Sequence, residues 1–319
     1  MNFRGIEKIL VIKLRHIGDV LLAVPVFRAL RENFPQAHIA ALINSGTEDV
    51  LTGNPFINEI IVFDRSVKKL SLSRRLWEES IFLRGIKNKH FDMTVDLTGG
   101  DRPAIISFIS GARYRLGYVT RKKNWLKKNI YTHLVRKNGS QHIVMQNLDV
   151  VKQFGISTDN LHIDFFVPEE ARSFVRRIFR ENNIKDSDTV VHVHPTSRWL
   201  FKCWKDEYMA EVINWLIEHG IKVIVTSAPG KRETEKAKRI LSLIPSRITH
   251  HASRLIDLCG KTTIKQLAAI SRASDLFIGV DSAPMHIAAA VGTPVIALFG
   301  PTKENRWGPW GNIHTVISK

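Results

Sequence analysis

The sequence contains few of the features that mark secreted, metal-binding or membrane-spanning proteins. Only two cysteines are present, Cys203 and Cys259, and no CxxC spacing occurs, which excludes a disulfide framework and favours a reducing compartment. The 13 histidines form no metal-spaced motif, so we expect no metal site and no cofactor. No run of 18 uncharged apolar residues exists, and the first residues, MNFRGIEKILVIKL, lack the apolar core of a signal peptide. These absences predict a globular cytoplasmic protein.

Acidic residues are also scarce relative to basic ones. The sequence has 47 Lys and Arg but 30 Asp and Glu, which gives a net charge of +17. An excess of this size favours an anionic partner: nucleic acid, an anionic membrane or a phosphorylated substrate. The excess is uneven, since no Asp or Glu occurs from Arg102 to Leu148. The cations of this window, which could instead be scattered solvated residues, are Arg102, Arg113, Arg115, Arg121, Lys122, Lys123, Lys127, Lys128, Arg136 and Lys137.

Apolar runs alternate with helical patterns along the whole chain, and the 319 residues suit two domains. This order predicts an α/β protein with two Rossmann-like, doubly wound parallel sheets. The pattern restarts after a linker near residues 168–187, so we expect domains at 1–168 and 169–319. The chain ends in a strand pattern, and we expect the second domain to continue beyond it. The predicted strands are Lys8–Leu14, His38–Ile43, Glu59–Phe63, Met93–Leu97, Thr189–His194, Lys222–Thr226, Asp275–Val280 and Pro294–Phe299, with helices that include Asp19–Asn33, Leu70–Lys89 and Ile143–Phe154.

The first predicted strand is followed by a glycine and an acid, Gly18 and Asp19. A single glycine does not make the glycine-rich loop that binds a dinucleotide. Asp19 begins a predicted helix, where it can serve as an N-cap worth ~1 kcal/mol. It can equally serve as a general base at a substrate cleft, and the two roles are compatible.

Three strand ends of the second half offer hydroxyls, cations and acids. The carboxyl ends of neighbouring parallel strands meet at one edge of a sheet, and a helix N-terminus there attracts anions. Each segment alone could be a polar loop or a capped helix, but together they favour a nucleotide diphosphate over a nucleic acid. The candidate residues are Thr196, Ser197, Lys202, Glu233, Asp281, Ser282, Ala283 and His286.

Five motifs, in order and across nearly the whole chain, resemble one family. They are KILVIKLRHIGDVLLAVPVFRALR, DLTGG, HPTSRWLFKCW, TSAPGKRE and GVDSAPMHIAAAVGTPVIALFGPT. The chain is similar to the Gram-negative ADP-heptose:lipopolysaccharide heptosyltransferases of glycosyltransferase family 9, and RHIGD with DSAPMHIAAA resembles the heptosyltransferase III branch. The resemblance implies a GT-B fold, with an acceptor-binding first domain facing an ADP-heptose-binding second domain across a cleft, and an inverting, metal-independent transfer.

The resemblance also implies a role for each matching residue. Asp19 would be the catalytic base, Lys202 and the Thr196 and Ser197 hydroxyls would bind the diphosphate, and Glu233 would bind the ribose. The final motif falls on Asp281, Ser282, Ala283 and His286. Many relatives have glycine where Ala283 stands, and a Cβ keeps a phosphate or sugar further from the backbone.

The cations are expected to serve the acceptor side of the reaction. The implied partners are a phosphorylated lipopolysaccharide inner core and the anionic inner membrane, with no nucleic acid. Two alternatives stay open: a GT-B transferase with another nucleotide sugar, and a basic nucleic-acid-binding protein, for which no recognised motif is present. The residues expected to meet acceptor or membrane phosphates are Arg15, Arg113, Arg115, Arg121, Lys122 and Lys123.

Overall fold

The structure, a computed structural model, describes residues 3–119, 129–245, 252–311 and 313–318. The chain divides into two compact units between Ile163 and Asp164, whereas the sequence placed the boundary after residue 168. Part of the basic window lies outside the described residues, namely Arg121, Lys122, Lys123, Lys127 and Lys128.

The first unit contains a six-stranded parallel sheet in the order β3-β2-β1-β4-β5-β6. Ile9 of the central strand pairs with Ile39 on one side and with Met93 on the other. The strand order reverses between β1 and β4, as it does in dinucleotide-binding folds. The strands are β1 Lys8–Lys13, β2 His38–Asn44, β3 Glu59–Phe63, β4 Met93–Asp96, β5 Tyr114–Tyr118 and β6 His133–Val135.

Helices cover both faces of this sheet because its strands are apolar on both sides. One face packs Leu10, Ile12 and Leu42 against Ile86 of α3 and Ile106 of α4. Burial of such residues is the main stabilising contribution, at about 25 cal/mol per Å² of apolar surface. The helices are α1 Ile17–Leu21, α2 Val24–Asn33, α3 Leu72–Asn88, α4 Asp101–Ile109 and α5 Ile143–Lys152.

The second unit repeats this topology. Its parallel sheet has the order β12-β11-β10-β7-β8-β9, which is the order of the first sheet when each is counted from its own first strand. The order therefore reverses between β7 and β10. The strands are β7 Val190–His194, β8 Lys222–Ser227, β9 Leu255–Cys259, β10 Leu276–Val280, β11 Val295–Phe299 and β12 His314–Ser318.

Two apolar clusters fix the helices of the second unit on its sheet. On one face, Val193 and Val225 pack with Ile213 of α7 and Ile240 of α8. The other cluster joins strands β10 and β11 to α10 through residues such as Met285. The helices are α6 Glu169–Glu181, α7 Asp206–Glu218, α8 Lys231–Ser242, α9 Ile264–Arg272, α10 Ala283–Ala290 and α11 Glu304–Trp307.

The predicted helix Asp19–Asn33 is wrong in one respect, because the structure breaks it into α1 and α2. Pro25 lies in the first turn of α2 and has no N–H to donate to the carbonyl of Leu21. Strands β5, β6 and β9 were not predicted, since each is short and lies beside polar residues. Within the described ranges, no helix is both long enough and apolar enough to cross a bilayer.

Candidate active site

Asp19 lies at the point where the first sheet reverses its strand order. The usual ligand site of such sheets is the crevice at this point, beyond the carboxyl ends of β1 and β4. β1 ends at Lys13 and α1 begins at Ile17, so Asp19 is the third residue of the helix and is half-buried. The N-cap position belongs to His16, so the interpretation of Asp19 as the N-cap is wrong.

Lys13 is a buried cation beneath this crevice. The sequence motifs did not indicate it as a site residue. Its Nζ donates to the Leu97 carbonyl at 3.0 Å and to Asn147 Oδ1 at 2.9 Å. Burial lowers the pKa of Lys13 to about 8, while the negative charge of Asp19 acts in the opposite direction. A buried lysine directly after the apolar run ILVI was the available signal.

A second buried group, Asp96, shapes the loop after β4. Its Oδ1 accepts from the backbone N–H groups of Thr98 at 2.7 Å and Gly99 at 3.0 Å, and its Oδ2 accepts from the Tyr131 hydroxyl at 2.6 Å. Burial raises the pKa of Asp96 above its usual range. Gly99 and Gly100 both have positive φ, at 68° and 112°, which glycine adopts without strain. The DLTGG motif is therefore a loop fixed beside the end of β1.

The described arginines expected to meet phosphates differ in availability. Arg15 is exposed, and its Nη2 donates to the Thr98 carbonyl at 3.2 Å. Arg113 is exposed and stands 5.2 Å from the centre of the Tyr114 ring. Arg115 uses its Nε and Nη1 on two main-chain carbonyls of its own unit. Arg15 and Arg113 are thus the better placed of the three for an external anion.

The second unit places its candidate residues at the matching reversal, between β7 and β10. The two strands approach closely at Gly279, where an added Cβ would lie 2.6 Å from the Phe277 ring and 3.0 Å from the His194 carbonyl. Glycine at this position therefore permits the approach. The loops that carry the predicted phosphate-binding residues start directly after these strand ends.

Buried histidines support those loops from below. His192 Nε2 and His194 Nδ1 lie 2.7 Å and 2.8 Å from the Thr226 hydroxyl, and His192 Nδ1 lies 2.8 Å from Ser271 Oγ. Burial lowers both histidine pKa values, that of His194 to about 3. Both rings are consequently neutral near pH 7. Through the Thr226 hydroxyl they connect β7 to β8 by hydrogen bonds.

Lys202 and Asp281, which are 79 positions apart in sequence, form an ion pair. Lys202 Nζ donates to Asp281 Oδ2 at 2.6 Å, and the Asp281 side chain is buried. The contact joins the loop after β7 to the loop after β10, in agreement with the predicted convergence of these strand ends. Its cation lies where a diphosphate is expected to bind.

Thr196 and Glu233 form the second contact between strand-end loops. Thr196 Oγ1 donates to Glu233 Oε2 at 3.1 Å, and both Thr196 and Ser197 are buried. Burial raises the pKa of Glu233 above its usual range, although the Thr196 hydrogen bond opposes this. Glu233 lies in the first turn of α8, with a second carboxylate oxygen Oε1 that can accept a ligand hydroxyl.

The loop after β10 leads directly into helix α10. Ser282 is the N-cap residue, but its hydroxyl donates to the Val280 carbonyl at 3.2 Å and makes no side-chain cap. Pro284 occupies the first turn, Ala283 opens the helix, and His286 is buried in it. The positive end of the helix dipole therefore lies beside the Lys202–Asp281 pair.

The two arrangements suit different chemistry. The second unit combines an ammonium group, hydroxyls and a helix N-terminus, which bind phosphate, with a carboxylate that can accept from sugar hydroxyls. The first unit places one accessible carboxylate, Asp19, above a buried lysine. Among the described residues, no group of three or more His, Cys, Asp or Glu side chains could hold a metal ion.

Comparison with known proteins finds one matching family and several similar proteins. A family model described as glycosyltransferase family 9 (heptosyltransferase) matches residues 81–319. Lipopolysaccharide heptosyltransferase 3 of Escherichia coli is 32% identical over 301 residues, covering 94% of this chain and 85% of that protein. The crystal structure of a family 9 glycosyl transferase from Veillonella parvula has a TM-score of 0.85 at 24% identity, covering 98% of this chain and 86% of that one. E. coli heptosyltransferase WaaC with ADP has a TM-score of 0.74 at 19% identity, covering 98% and 93%.

The two solved structures establish the fold class as GT-B, with two Rossmann-like α/β units. The matched region and the identity to lipopolysaccharide heptosyltransferase 3 establish the family. This protein is a glycosyltransferase and belongs to glycosyltransferase family 9, the heptosyltransferase family.

Proposed function

We propose that this glycosyltransferase moves L-glycero-D-manno-heptose from ADP-heptose to a heptose of the lipopolysaccharide inner core, as a heptosyltransferase of type III. The observation that carries the proposal is the cluster at the β7–β10 reversal, where Lys202, Asp281 and Thr196 converge with Glu233. The names of the similar proteins, a lipopolysaccharide heptosyltransferase 3 and a heptosyltransferase solved with ADP, support the choice of donor and acceptor.

The second unit is the proposed donor-binding domain. Lys202, the Thr196 and Ser197 hydroxyls and the N-terminus of α10 would hold the diphosphate, with Ser282 and Ala283 supplying the closest backbone. Glu233 would accept from ribose hydroxyls through its carboxylate. Asp281 would orient Lys202 or bind a sugar hydroxyl, and buried His286 would fix the helix against the sheet.

Asp19 in the first unit, the proposed acceptor-binding domain, is the proposed base. As the acceptor hydroxyl oxygen bonds to the anomeric carbon, its proton passes to the Asp19 carboxylate. The bond between the anomeric carbon and the diphosphate oxygen breaks, and ADP leaves with its electron pair from the opposite face, which inverts the configuration. Negative charge grows on the leaving diphosphate, where Lys202 and the helix N-terminus stabilise it.

The proposed reaction requires no metal ion, because Lys202 and the α10 N-terminus supply the positive charge that Mg²⁺ supplies in other nucleotide-sugar enzymes. Activity should therefore be the same in excess EDTA as in excess Mg²⁺. Full loss of activity in EDTA, restored by Mg²⁺, would contradict this part of the proposal.

The acceptor carries phosphates and is anchored in lipid, so we further propose a cytoplasmic enzyme that associates peripherally with the inner membrane. The described cations Arg15 and Arg113 would meet acceptor or membrane phosphates, together with Arg121, Lys122 and Lys123, which lie outside the described residues. No nucleic acid is involved in this proposal.

Ligand-induced stabilisation separates the proposed donor from its alternatives. A nucleotide that binds the folded chain raises its melting temperature with concentration. We expect ADP to stabilise the protein more than UDP or GDP, and a short oligonucleotide to have no effect at equal phosphate concentration. Preferential stabilisation by UDP would favour a transferase with another sugar nucleotide, and stabilisation by the oligonucleotide alone would favour a nucleic-acid-binding protein.

A further inference from the structure

Helix α3 presents apolar side chains on the face turned away from its own core. Phe82, Leu83 and Ile86 pack toward the sheet of the first unit. About half a helical turn away, Trp77 is 60% exposed and Ile81 is 44% exposed. Leu72 and Leu76 in the first turns are also exposed, at 72% and 58%, but their spacing places them on the side of the helix that Leu83 occupies. Exposed apolar side chains that are adjacent on a surface, such as Trp77 and Ile81, indicate an interaction site.

Arginines stand at both ends of this apolar row. Arg74, Trp77, Ile81 and Arg84 are spaced i, i+3, i+7 and i+10, which places them along one side of the helix, and both arginines are exposed. We call these four residues the α3 face. The surrounding segment, residues 65–89, contains eight Lys or Arg and two Glu, a net charge of +6.

The two glutamates of α3 do not cancel this charge at the α3 face. Glu79 accepts from Arg75 at 3.3 Å and from Arg102 of α4 at 2.9 Å, so it is turned toward the neighbouring helix. These contacts, that of Arg102 above all, hold the pKa of Glu79 below its usual range. Glu78 is half-buried and lies beside the face, not within it.

We propose that the α3 face is the surface by which this protein docks on an anionic lipid bilayer, an inference that rests on the proposed membrane association. A helix of 17 residues is ~25 Å long and can lie flat in the headgroup region. Trp77 and Ile81 enter the interface, where tryptophan is favoured, while Arg74 and Arg84 bind lipid phosphates on either side. The face therefore matches the bilayer in both polarity and charge.

The test is co-sedimentation of the full chain with vesicles of phosphatidylcholine, with and without phosphatidylglycerol. Two variants remove one property each: Arg74→Glu with Arg84→Glu, and Trp77→Ser with Ile81→Ser. We expect each to lower partition to anionic vesicles by about tenfold or more. Heptose transfer to a short water-soluble core acceptor should stay unchanged, which keeps this inference separate from the proposed reaction.

Matched controls come from the second unit. Arg172→Glu with Arg180→Glu reverses two exposed arginines of α6, and Trp215→Ser removes an exposed tryptophan of α7. Both controls should bind vesicles as the wild type does. Equal melting temperatures would show that the α3 variants fold.

Each contrary outcome overturns the inference in a different way. Wild-type binding that persists in both α3 variants would leave membrane association intact but move it to another surface. Loss in the charge variant alone would mean electrostatic attraction without insertion of the apolar row. An α3 variant that turns a dimer into a monomer without lipid would make the α3 face a contact between two copies. A wild type that binds no vesicle would also remove the proposed membrane association.

Discussion

The two units share one topology and differ in the charge of the residue that ends the central strand of each sheet. β1 and β7 are the first strands of identically ordered sheets, and their last residues, Lys13 and His194, are both buried. Burial leaves Lys13 with a pKa of about 8 and His194 with a pKa of about 3, so near pH 7 the first is mainly a cation and the second is neutral. The shared topology therefore determines where a site forms, and a few residues at the strand ends determine the chemistry of that site.

That difference extends to the loops above the two strands. In the first unit the loop leads to a single half-buried carboxylate, Asp19, which suits proton transfer. In the second unit it leads to hydroxyls and to Lys202, already paired with Asp281, which suits a diphosphate. Variants of the two sites can test whether proton transfer belongs to the first unit and diphosphate binding to the second.

The largest expected effect comes from Asp19→Asn, which keeps the shape of the side chain and removes its basicity. We expect kcat to fall by roughly 10²–10⁴. The Kd for ADP, measured by calorimetry, should match that of the wild type, because ADP is assigned to the other unit. Near-normal turnover with a lower melting temperature would reduce Asp19 to a structural role.

Lys13→Met tests the buried cation of the first unit through pH. The folded-state pKa of about 8 lies below the ordinary value of 10.5. Between these values the unfolded chain holds one more proton, so the free energy of unfolding contributed by Lys13 rises with pH, by about 3 kcal/mol in total. Urea unfolding at about pH 7 and about pH 10 should show this extra rise in the wild type and not in Lys13→Met. Parallel pH dependences would contradict the burial of a charged lysine here.

Lys202→Ala tests the diphosphate site of the second unit. Removing one charge-assisted phosphate contact should weaken ADP binding by about 1.5–3 kcal/mol, or roughly 10- to 150-fold in Kd. Lys205→Ala is the matched control, since Lys205 is exposed on the same loop, and it should bind ADP normally.

The variant Lys202→Ala also leaves the Asp281 carboxylate buried without its partner, so Lys202→Ala with Asp281→Asn should be combined in a double-mutant cycle. Unchanged ADP affinity in every member of the cycle would remove this ion pair from the donor site.

Glu233→Gln should have the smallest effect. It should weaken ADP by about 1 kcal/mol while inhibition by pyrophosphate stays unchanged, because Glu233 is assigned to the ribose and not to the phosphates. Glu235→Gln, on the exposed side of the same helix, is the control and should change neither. Equal weakening of ADP and pyrophosphate by Glu233→Gln would place this carboxylate near the diphosphate through Thr196.

Much of this architecture could be predicted from the sequence, for a physical reason. Buried parallel strands are continuous apolar runs, so KILVIK and LFIGV were recognisable, and parallel strands bring their carboxyl ends together. The convergence of the loops that carry Lys202, Asp281 and Glu233 followed from that rule, whereas the contacts of Lys202 with Asp281 and of Thr196 with Glu233 were not predicted. Short strands such as β6, with three residues, carry too little periodicity to be recognised.

Side-chain direction was harder to predict. Serine at position 282 fits a helix cap, in which its hydroxyl oxygen would accept from a backbone N–H group, but the hydroxyl instead donates to the Val280 carbonyl. The role of Asn147 as a partner of Lys13 depends on a contact across 134 positions, which no local pattern contains. Such long-range pairs can be recognised only from the three-dimensional structure of the sheet and its helices.

Analysis of the reaction product is the most direct test of the proposed heptose transfer. The purified protein is incubated with ADP-heptose and defined truncated inner-core acceptors, and the products are identified by mass spectrometry and NMR. We expect addition of one heptose to an acceptor that already ends in heptose, with inversion at the anomeric carbon and release of ADP. Transfer from UDP- or GDP-sugars with none from ADP-heptose, or transfer with retained configuration, would contradict it.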